Sequence, residues 1–145
     1  MIRFKIVFLF CVTLLSVVAF RHIAFGQIFK HDDMPVIISG KVASAKEVPA
    51  PTQELFLAEQ DTVLELKVSI SHGWKGLKSG DATLYTTIQK KKPCPGYEPE
   101  TGKSYIFWGQ YDSKKNIQFF SCGDFLAEDD ISAPDMHKKL DKTFP

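Results

Sequence analysis

The chain has 145 residues, of which 44% are hydrophobic, and its 18 basic and 17 acidic side chains leave a formal net charge of +1. This length is enough for one domain with a single hydrophobic core and short for two. The balanced charge argues against nucleic acid as a partner, because proteins that bind nucleic acid carry a clear basic excess. No internal repeat or low-complexity tract interrupts the sequence.

The first 26 residues have the pattern of a secretory signal peptide. Arg3 and Lys5 precede an unbroken apolar run over residues 6–20, and small residues stand before Gln27. The run is shorter than the roughly 20 apolar residues that span a bilayer, so cleavage is expected, with an uncleaved membrane anchor as the alternative. The segment holds three of the basic residues and none of the acidic ones, which leaves a formal charge of −2 on the remainder. We predict a secreted or periplasmic protein of residues 27–145.

The cysteines favour a disulfide. Cys11 lies in the apolar run and leaves with the signal peptide, so Cys94 and Cys122 remain in the exported chain. Thiols are oxidised in the compartments that such proteins reach. A catalytic cysteine needs a base that forms its thiolate, and no Cys-His spacing in the sequence indicates one. A Cys94–Cys122 disulfide is therefore predicted.

Two β-strands and a loop are predicted in the first half of the domain. Residues 36–42 form a β-rich strand in which Gly40 indicates a bulge or sharp bend. Residues 43–54 contain two prolines and no period, which predicts a surface loop. Residues 62–70 show the clearest alternation of the chain, and their predicted buried face consists of Leu64, Leu66, Val68 and Ile70.

Three further strands are predicted after two turns, at residues 72–76 and 78–81. The third strand, residues 82–88, places Ala82, Leu84, Thr86 and Ile88 on one face. A basic, proline-rich loop follows over residues 90–96. The fourth and fifth strands are predicted at residues 103–108 and 116–122, joined by a hairpin turn over residues 109–115.

One short helix is predicted at the end of the chain. Ser132 is a good N-cap residue, Asp135 stands at the third helical position as in a capping box, and two lysines occupy the end of the helix that favours positive charge. Five short strands with glycine-marked bends and one helix are typical of a small OB-type Greek-key barrel. The aromatic residues expected to fill or flank it include Tyr105, Phe107 and Phe119.

Four stretches resemble one protein family. They are VIISGKV from residue 36, VLELKVSISHGWKG from residue 63, Cys94 followed by TGKSYIF from residue 101, and SCGDFLAEDDISAPDMHKKL from residue 121. In this order and spacing they resemble the netrin-like module of the tissue inhibitors of metalloproteinases, and especially their secreted bacterial relatives. The likeness covers residues 35–140.

The resemblance implies an OB-fold-like (netrin-like) barrel with a C-terminal helix that binds protein partners, with inhibition of a metalloprotease as the concrete version. The animal inhibitors present an N-terminal Cys-x-Cys to the catalytic zinc. This chain lacks that motif, and its predicted mature start is Gln27. Three segments are expected to contact a partner. They are Gln27, Ile28, Phe29 and Lys30 at the mature N-terminus, residues 43–52, and Lys90, Lys91 and Lys92 with the prolines that follow.

The remaining candidate residues favour a structural role. His31 with two following aspartates could hold a metal, but adjacent residues on an extended chain point in different directions, so no metal site is expected. His72 and His137 are interpreted as residues of a turn and a helix without a partner that would make either a general base. Trp74 is expected to pack rather than to bind a ligand. The acidic run at residues 128–130 is interpreted as a solvated segment with a minor part in starting the helix.

The sequence carries no catalytic motif: it has no nucleophile elbow, zinc-protease helix or phosphate-binding loop. We therefore predict a binding domain that is not an enzyme and needs no cofactor. The alternative is an envelope-associated adhesion or ligand-binding module that contacts glycan or a membrane surface through residues 90–92. A third hypothesis is an accessory domain held at the membrane by an uncleaved signal.

Overall fold

The computed structural model describes residues 31–88, 98–120 and 123–145. The predicted signal peptide lies outside the described residues, as do several predicted sites: Gln27, Ile28 and Phe29, Lys90, Lys91 and Lys92, and the two cysteines of the predicted disulfide, Cys94 and Cys122. The described residues contain six strands: β1 (Val36–Pro49), β2 (Thr62–Lys75), β3 (Gly80–Thr87), β4 (Ser104–Tyr111), β5 (Ile117–Gln118) and β6 (Phe125–Ala127). They also contain one α-helix, α1 (Ala133–Thr143), and two short 3-10 helices at His31–Asp33 and Leu55–Leu57.

Five of the strands form a closed ring by hydrogen bonding. Strands β1, β2 and β3 follow one another as antiparallel neighbours, β3 pairs in parallel with β5, and β5 pairs with β4. The ring closes because β4 also pairs antiparallel with the first half of β1. Strand β6 lies outside the ring and pairs with β4. The prediction of a mainly β domain with one C-terminal helix is confirmed.

Strand β1 takes part in two pairings and bends at Gly40. The register with β2 shifts between Ser39 and Gly40, which confirms the predicted irregularity. A Cβ atom at Gly40 would lie 2.6 Å from the carbonyl oxygen of Ser69 and 2.7 Å from Cγ1 of Val68. Only glycine allows this close approach of the two strands, so the bend depends on the absence of a side chain.

The interior of the ring is the main hydrophobic core. The alternating residues of β2 and β3 point inward as predicted, with Leu66 and Leu84 fully buried. Aromatic rings from three elements meet there in edge-to-face or tilted contacts, with the Phe107 and Phe119 centroids 5.4 Å apart. Such contacts add to the burial of apolar area. The prediction that Tyr105, Phe107 and Phe119 fill the core is confirmed.

Helix α1 covers a second apolar cluster on the outer face of the ring. Leu140 of the helix is fully buried against residues of β1, β2 and β4, among them Trp74 and Trp108. The indole Nε1 of Trp74 donates a hydrogen bond to Oδ1 of Asp141 at 2.7 Å. Trp74 is only 4% exposed, which confirms that it packs.

Two predicted connections are strands in the structure. The predicted loop is wrong over residues 43–49, because β1 continues to Pro49 and pairs with β2 along this length. Proline is tolerated there because it ends the strand. The predicted turn at residues 72–76 is also wrong over most of its length, because β2 continues to Lys75 and pairs there with Ile37.

The C-terminal third also differs in detail. The turn after β4 begins at Asp112, since residues 109–111 still belong to the strand, and β5 has only two described strand residues. Strand β6 was not predicted. Helix α1 begins as expected, but the Ser132 side chain does not cap it: its hydroxyl donates to Oδ1 of Asp130 at 2.6 Å. No helix among the described residues is both long enough and apolar enough to cross a bilayer.

Candidate functional site

Two loops of the ring are joined by side-chain hydrogen bonds. We call them the loop pair: residues 50–61, which connect β1 to β2, and residues 112–116, which connect β4 to β5. The hydroxyl of Thr52 donates to Oδ2 of Asp112 at 2.8 Å. The carboxylate of Glu54 accepts from the hydroxyl of Ser113 at 2.6 Å and from its backbone N–H at 3.0 Å. These bonds from Ser113 lower the pKa of Glu54.

Asp112 is the centre of the polar contacts within the loop pair. Its Oδ1 accepts the backbone N–H groups of Lys114 and Asn116 at 2.9 and 2.8 Å. Its Oδ2 accepts from the Thr52 hydroxyl and from the side-chain amides of Asn116 and Gln118 at 2.8, 2.9 and 3.2 Å. All five contacts are donors, so the carboxylate is saturated and serves as a structural anchor.

The electrostatics of Asp112 follow from these donors. The side chain is only 5% exposed, and burial by itself raises the pKa of a carboxyl group. The hydrogen bonds from Asn116, Thr52 and Gln118 outweigh burial and lower the pKa of Asp112 from 3.8 to about 2. The group is therefore ionised at neutral pH, where charge-assisted hydrogen bonds are strongest.

Gln118 connects the loop pair to the neighbouring strand. Its side-chain amide donates to the Thr52 hydroxyl at 3.0 Å as well as to Asp112, and the residue is fully buried. Its register partner across the parallel pairing is Tyr85 of β3. The loop pair thus rests on three strands of the ring and is held at its base by buried groups.

Backbone strain is concentrated in the loop pair. Among the described residues, three non-glycine residues have a positive φ: Leu55 at 52°, Glu59 at 64° and Lys115 at 67°. All three belong to the loop pair. A left-handed backbone costs free energy for residues with a side chain and persists where the surroundings enforce it, often at binding sites.

The loop pair also displays apolar surface. Leu55 is 46% exposed and is one of two large exposed hydrophobic residues in the described part of the chain, the other being Ile131. Phe56 is half-buried and stacks on Phe120 with centroids 5.8 Å apart. Leu57 is fully buried and fixes the end of the short 3-10 helix. Leu55 therefore projects from a segment whose neighbours are packed.

A second polar cluster lies where α1 meets β2. The ring of Trp74 lies 4.6 Å from that of His72 and 5.0 Å from that of His137, measured between centroids. His137 Nε2 lies 2.7 Å from a carboxylate oxygen of Glu128, and His72 Nε2 lies 3.8 Å from one of Asp141. The sequence did not indicate these neighbouring carboxylates, and Glu128 is not simply solvated. The cluster fastens the helix to the ring.

No group of three or more potential metal ligands converges within residues 31–88, 98–120 and 123–145. Asp32, the first acidic residue of the His31 triplet, instead forms an ion pair with Lys139 of α1 at 3.3 Å. A shallow pocket of about 330 Å³ lies beside Glu128 and is lined by Lys103, Ser104, Glu128 and Asp129. It is open and contains charges of both signs, which gives no clear preference for one class of ligand.

The structure brings together only part of the predicted contact surface. Residues 50–52 belong to the loop pair, whereas residues 43–49 are strand, and the N-terminal and basic segments lie outside the described residues. Asp112 and Leu55 are site residues that the sequence did not predict. A signal for Asp112 was available: an aspartate followed by Ser113 and then Asn116 is typical of a turn in which the carboxylate accepts backbone N–H groups. Nothing in the sequence indicated the backbone conformation of Leu55.

Comparison with known proteins does not change the choice of site: no protein-family model matches the chain, and no curated protein matches it. The candidate site is therefore chosen from the geometry of the loop pair. That geometry combines a buried anchor, a strained backbone and exposed apolar surface, which together suit contact with another molecule.

Proposed function

We propose that this protein is an exported binding domain of OB type that contacts a protein partner through the loop pair, and that it inhibits an extracytoplasmic metalloprotease. The observation that carries the proposal is the joining of the β1–β2 and β4–β5 loops. In OB folds these two loops, with the face of strands 2 and 3, form the ligand-binding surface. Here they are bonded to each other through Asp112 and Glu54.

The order of the strands supports the OB interpretation. Strands β1, β2 and β3 are consecutive neighbours, and β4 returns to lie beside β1. A fourth strand that returns to lie beside the first is also a feature of Greek keys, which supports the proposal. A closed ring of five strands with a helix against it is also what the resemblance to netrin-like modules implies.

Binding is favoured over catalysis by the chemistry of the site. The buried carboxylate of Asp112 accepts five hydrogen bonds from the protein itself, which leaves it no free position for a substrate proton. The loops it joins are held before any partner arrives, so little conformational entropy remains to be lost on association. A rigid surface of this kind suits an inhibitor that acts by contact.

The described residues just before β1 lie near the second loop of the pair. The side-chain amide of Gln110 contacts Sδ of Met34 at 3.3 Å. Gln110 stands two residues before Asp112, so the chain leading into β1 passes close to the start of the second loop of the pair.

The test is an inhibition assay with the mature protein, residues 27–145. We expect it to slow at least one enzyme in a panel of thermolysin-type and metzincin-type zinc endopeptidases, measured with fluorogenic peptide substrates at micromolar inhibitor. The variant Glu54→Ala should inhibit less well, because it removes both bonds to Ser113 and loosens the loop pair. Glu100→Ala is the matched control, since its carboxylate pairs with Lys103 instead. Unchanged rates across the whole panel would refute the inhibitor proposal.

A further inference from the structure

We infer that the attachment of helix α1 to the ring is pH-sensitive: protonation of His137 beside Glu128 holds the helix more tightly in mildly acidic than in mildly alkaline solution. This inference goes beyond the proposed function and does not use the loop pair. It rests on the polar cluster around Trp74, in which each of two histidine rings contacts the indole and has a carboxylate neighbour. Histidine is the side chain that ordinarily changes its charge between pH 5 and 8.

The contact between His137 and Glu128 joins the helix to the segment that follows β6. Nε2 of His137 lies 2.7 Å from Oε2 of Glu128. An ionised carboxylate only accepts hydrogen bonds, so Nε2 carries the hydrogen and Nδ1 takes up the additional proton in acid. The bond then becomes charge-assisted, which makes it about twice as strong as a neutral one. Because the two groups separate when the helix opens, proton uptake favours the attached helix.

Burial does not cancel this gain. Removing a charged imidazole from water disfavours its protonation. The side chain of His137 nevertheless keeps 33% of its exposure, and that of Glu128 keeps 25%. The pair is therefore shielded enough to interact strongly and open enough for the proton to exchange with solvent.

The other charged groups of the neighbouring elements favour the same direction. Asp141 lies one helical turn after His137, accepts the indole N–H of Trp74 and adds negative charge to the same helix face. Asp129 follows Glu128 directly in the chain. Nε2 of His72 lies 3.8 Å from Asp141, but both side chains are more than half exposed, so this second pair contributes little. The neighbouring lysines contact other groups: Lys78 the carbonyl of Trp74, Lys103 Glu100, Lys138 Asp135 and Lys139 Asp32.

The helix covers an apolar surface, so its attachment matters beyond the polar cluster. Leu140 is fully buried in the cluster that contains Trp74 and Trp108, and opening of α1 would expose this surface to water. The fraction of molecules that expose it therefore depends on pH, which for the exported protein proposed above is the pH of its surroundings. Carboxylates themselves take up protons below about pH 5, so the effect belongs to the range from about pH 5 to 8.

Amide hydrogen exchange of α1 in the mature protein, residues 27–145, measures the opening of the helix. Protection of the amides around Leu140, corrected for the intrinsic exchange rate at each pH, should rise about fivefold as the pH falls from 8 to 5.5. His137→Gln and Glu128→Gln keep the size of the side chain without its charge, and each should reduce the rise to less than about twofold. Glu100→Gln is the matched control, because its carboxylate pairs with Lys103, and it should keep the full rise.

Each variant is compared with itself at the two pH values, so a general loss of stability does not mimic the result. Two variants test the same bond from its two ends, which keeps the test decisive if one of them folds poorly. A wild-type protein whose protection does not change between pH 8 and 5.5 would overturn the inference. So would a full rise that persists in His137→Gln or in Glu128→Gln. Either result would leave the proposed inhibition through the loop pair standing.

Discussion

Replacing Asp112 by asparagine removes the charge at the centre of the loop pair while keeping the shape of the side chain. Each carboxylate oxygen faces only donors: two backbone N–H groups at Oδ1 and three side-chain donors at Oδ2. In either orientation the new amide group points a donor at other donors. The variant therefore loses hydrogen bonds and leaves buried polar groups unsatisfied, which costs more than the bonds alone are worth.

The magnitude follows from the pKa of Asp112, which lies at about 2 in the folded protein against an ordinary value of 3.8. That difference corresponds to about 2.5 kcal/mol of stability at neutral pH. The sign is that of a lowered carboxyl pKa. The contribution is complete above about pH 4, and it is lost as the pH falls towards 2, because the unfolded chain takes up the proton first. We expect Asp112→Asn to lower the free energy of unfolding by about 2–4 kcal/mol at pH 7.

Urea denaturation at several pH values between 7 and 2 measures both effects. The difference in the free energy of unfolding between the wild type and Asp112→Asn should be large at pH 7 and should shrink between pH 4 and 2. Asp81→Asn is the control, because Asp81 is exposed at the start of β3. A difference below about 1 kcal/mol at pH 7, or one that does not shrink in acid, would refute the view that the ionised carboxylate holds the loops together.

Two further substitutions test the packing of the ring, both by urea denaturation. Gly73→Ala should lower the free energy of unfolding by about 3 kcal/mol or more, because its Cβ would overlap the carbonyl oxygen of Leu77. The control Gly102→Ala has open space around the new Cβ and only an unfavourable φ of 89°, so it should lower the free energy of unfolding by about 1 kcal/mol. Equal losses of stability in the two variants would contradict the overlap at Gly73. Thr86→Val should raise the free energy of unfolding by about 1 kcal/mol, because this fully buried hydroxyl has no hydrogen-bond partner among the described residues. The control Thr83→Val loses an exposed hydrogen bond from a lysine and should not raise the free energy of unfolding. A lower free energy of unfolding in Thr86→Val would mean that the buried hydroxyl has a partner.

The strands with strict alternation could be predicted together with their buried faces. Over residues 64–70 of β2 every second residue is apolar, and Ala82 and Leu84 follow the same pattern in β3, because one face of each strand lines the interior of the ring. Helix α1 could likewise be placed from its composition. The closure of the ring could not, because a pairing between the first half of β1 and β4 depends on residues about 70 positions apart.

The elements that were missed lack such a period for physical reasons. Residues 43–49 are exposed or half-buried on both faces, so nothing in their polarity distinguishes a strand from a loop, and only pairing with β2 makes them one. Strand β6 has three residues, too few to show alternation. The candidate site depends on hydrogen bonds between two distant loops and on the φ of Leu55, neither of which is encoded in local composition.

The seam between β1 and β4 has a consequence for the order of folding. Hairpins β1–β2 and β2–β3 join neighbouring segments and can form early. The seam cannot form until Val36 pairs with Gly109, which lies much later in the chain. In a nascent chain the backbone N–H and C=O groups at this edge of β1 therefore stay unpaired until most of the domain has been synthesised. We expect the seam to be the last register established and the first to open, which makes it the place where misassembly between two unfinished chains would begin.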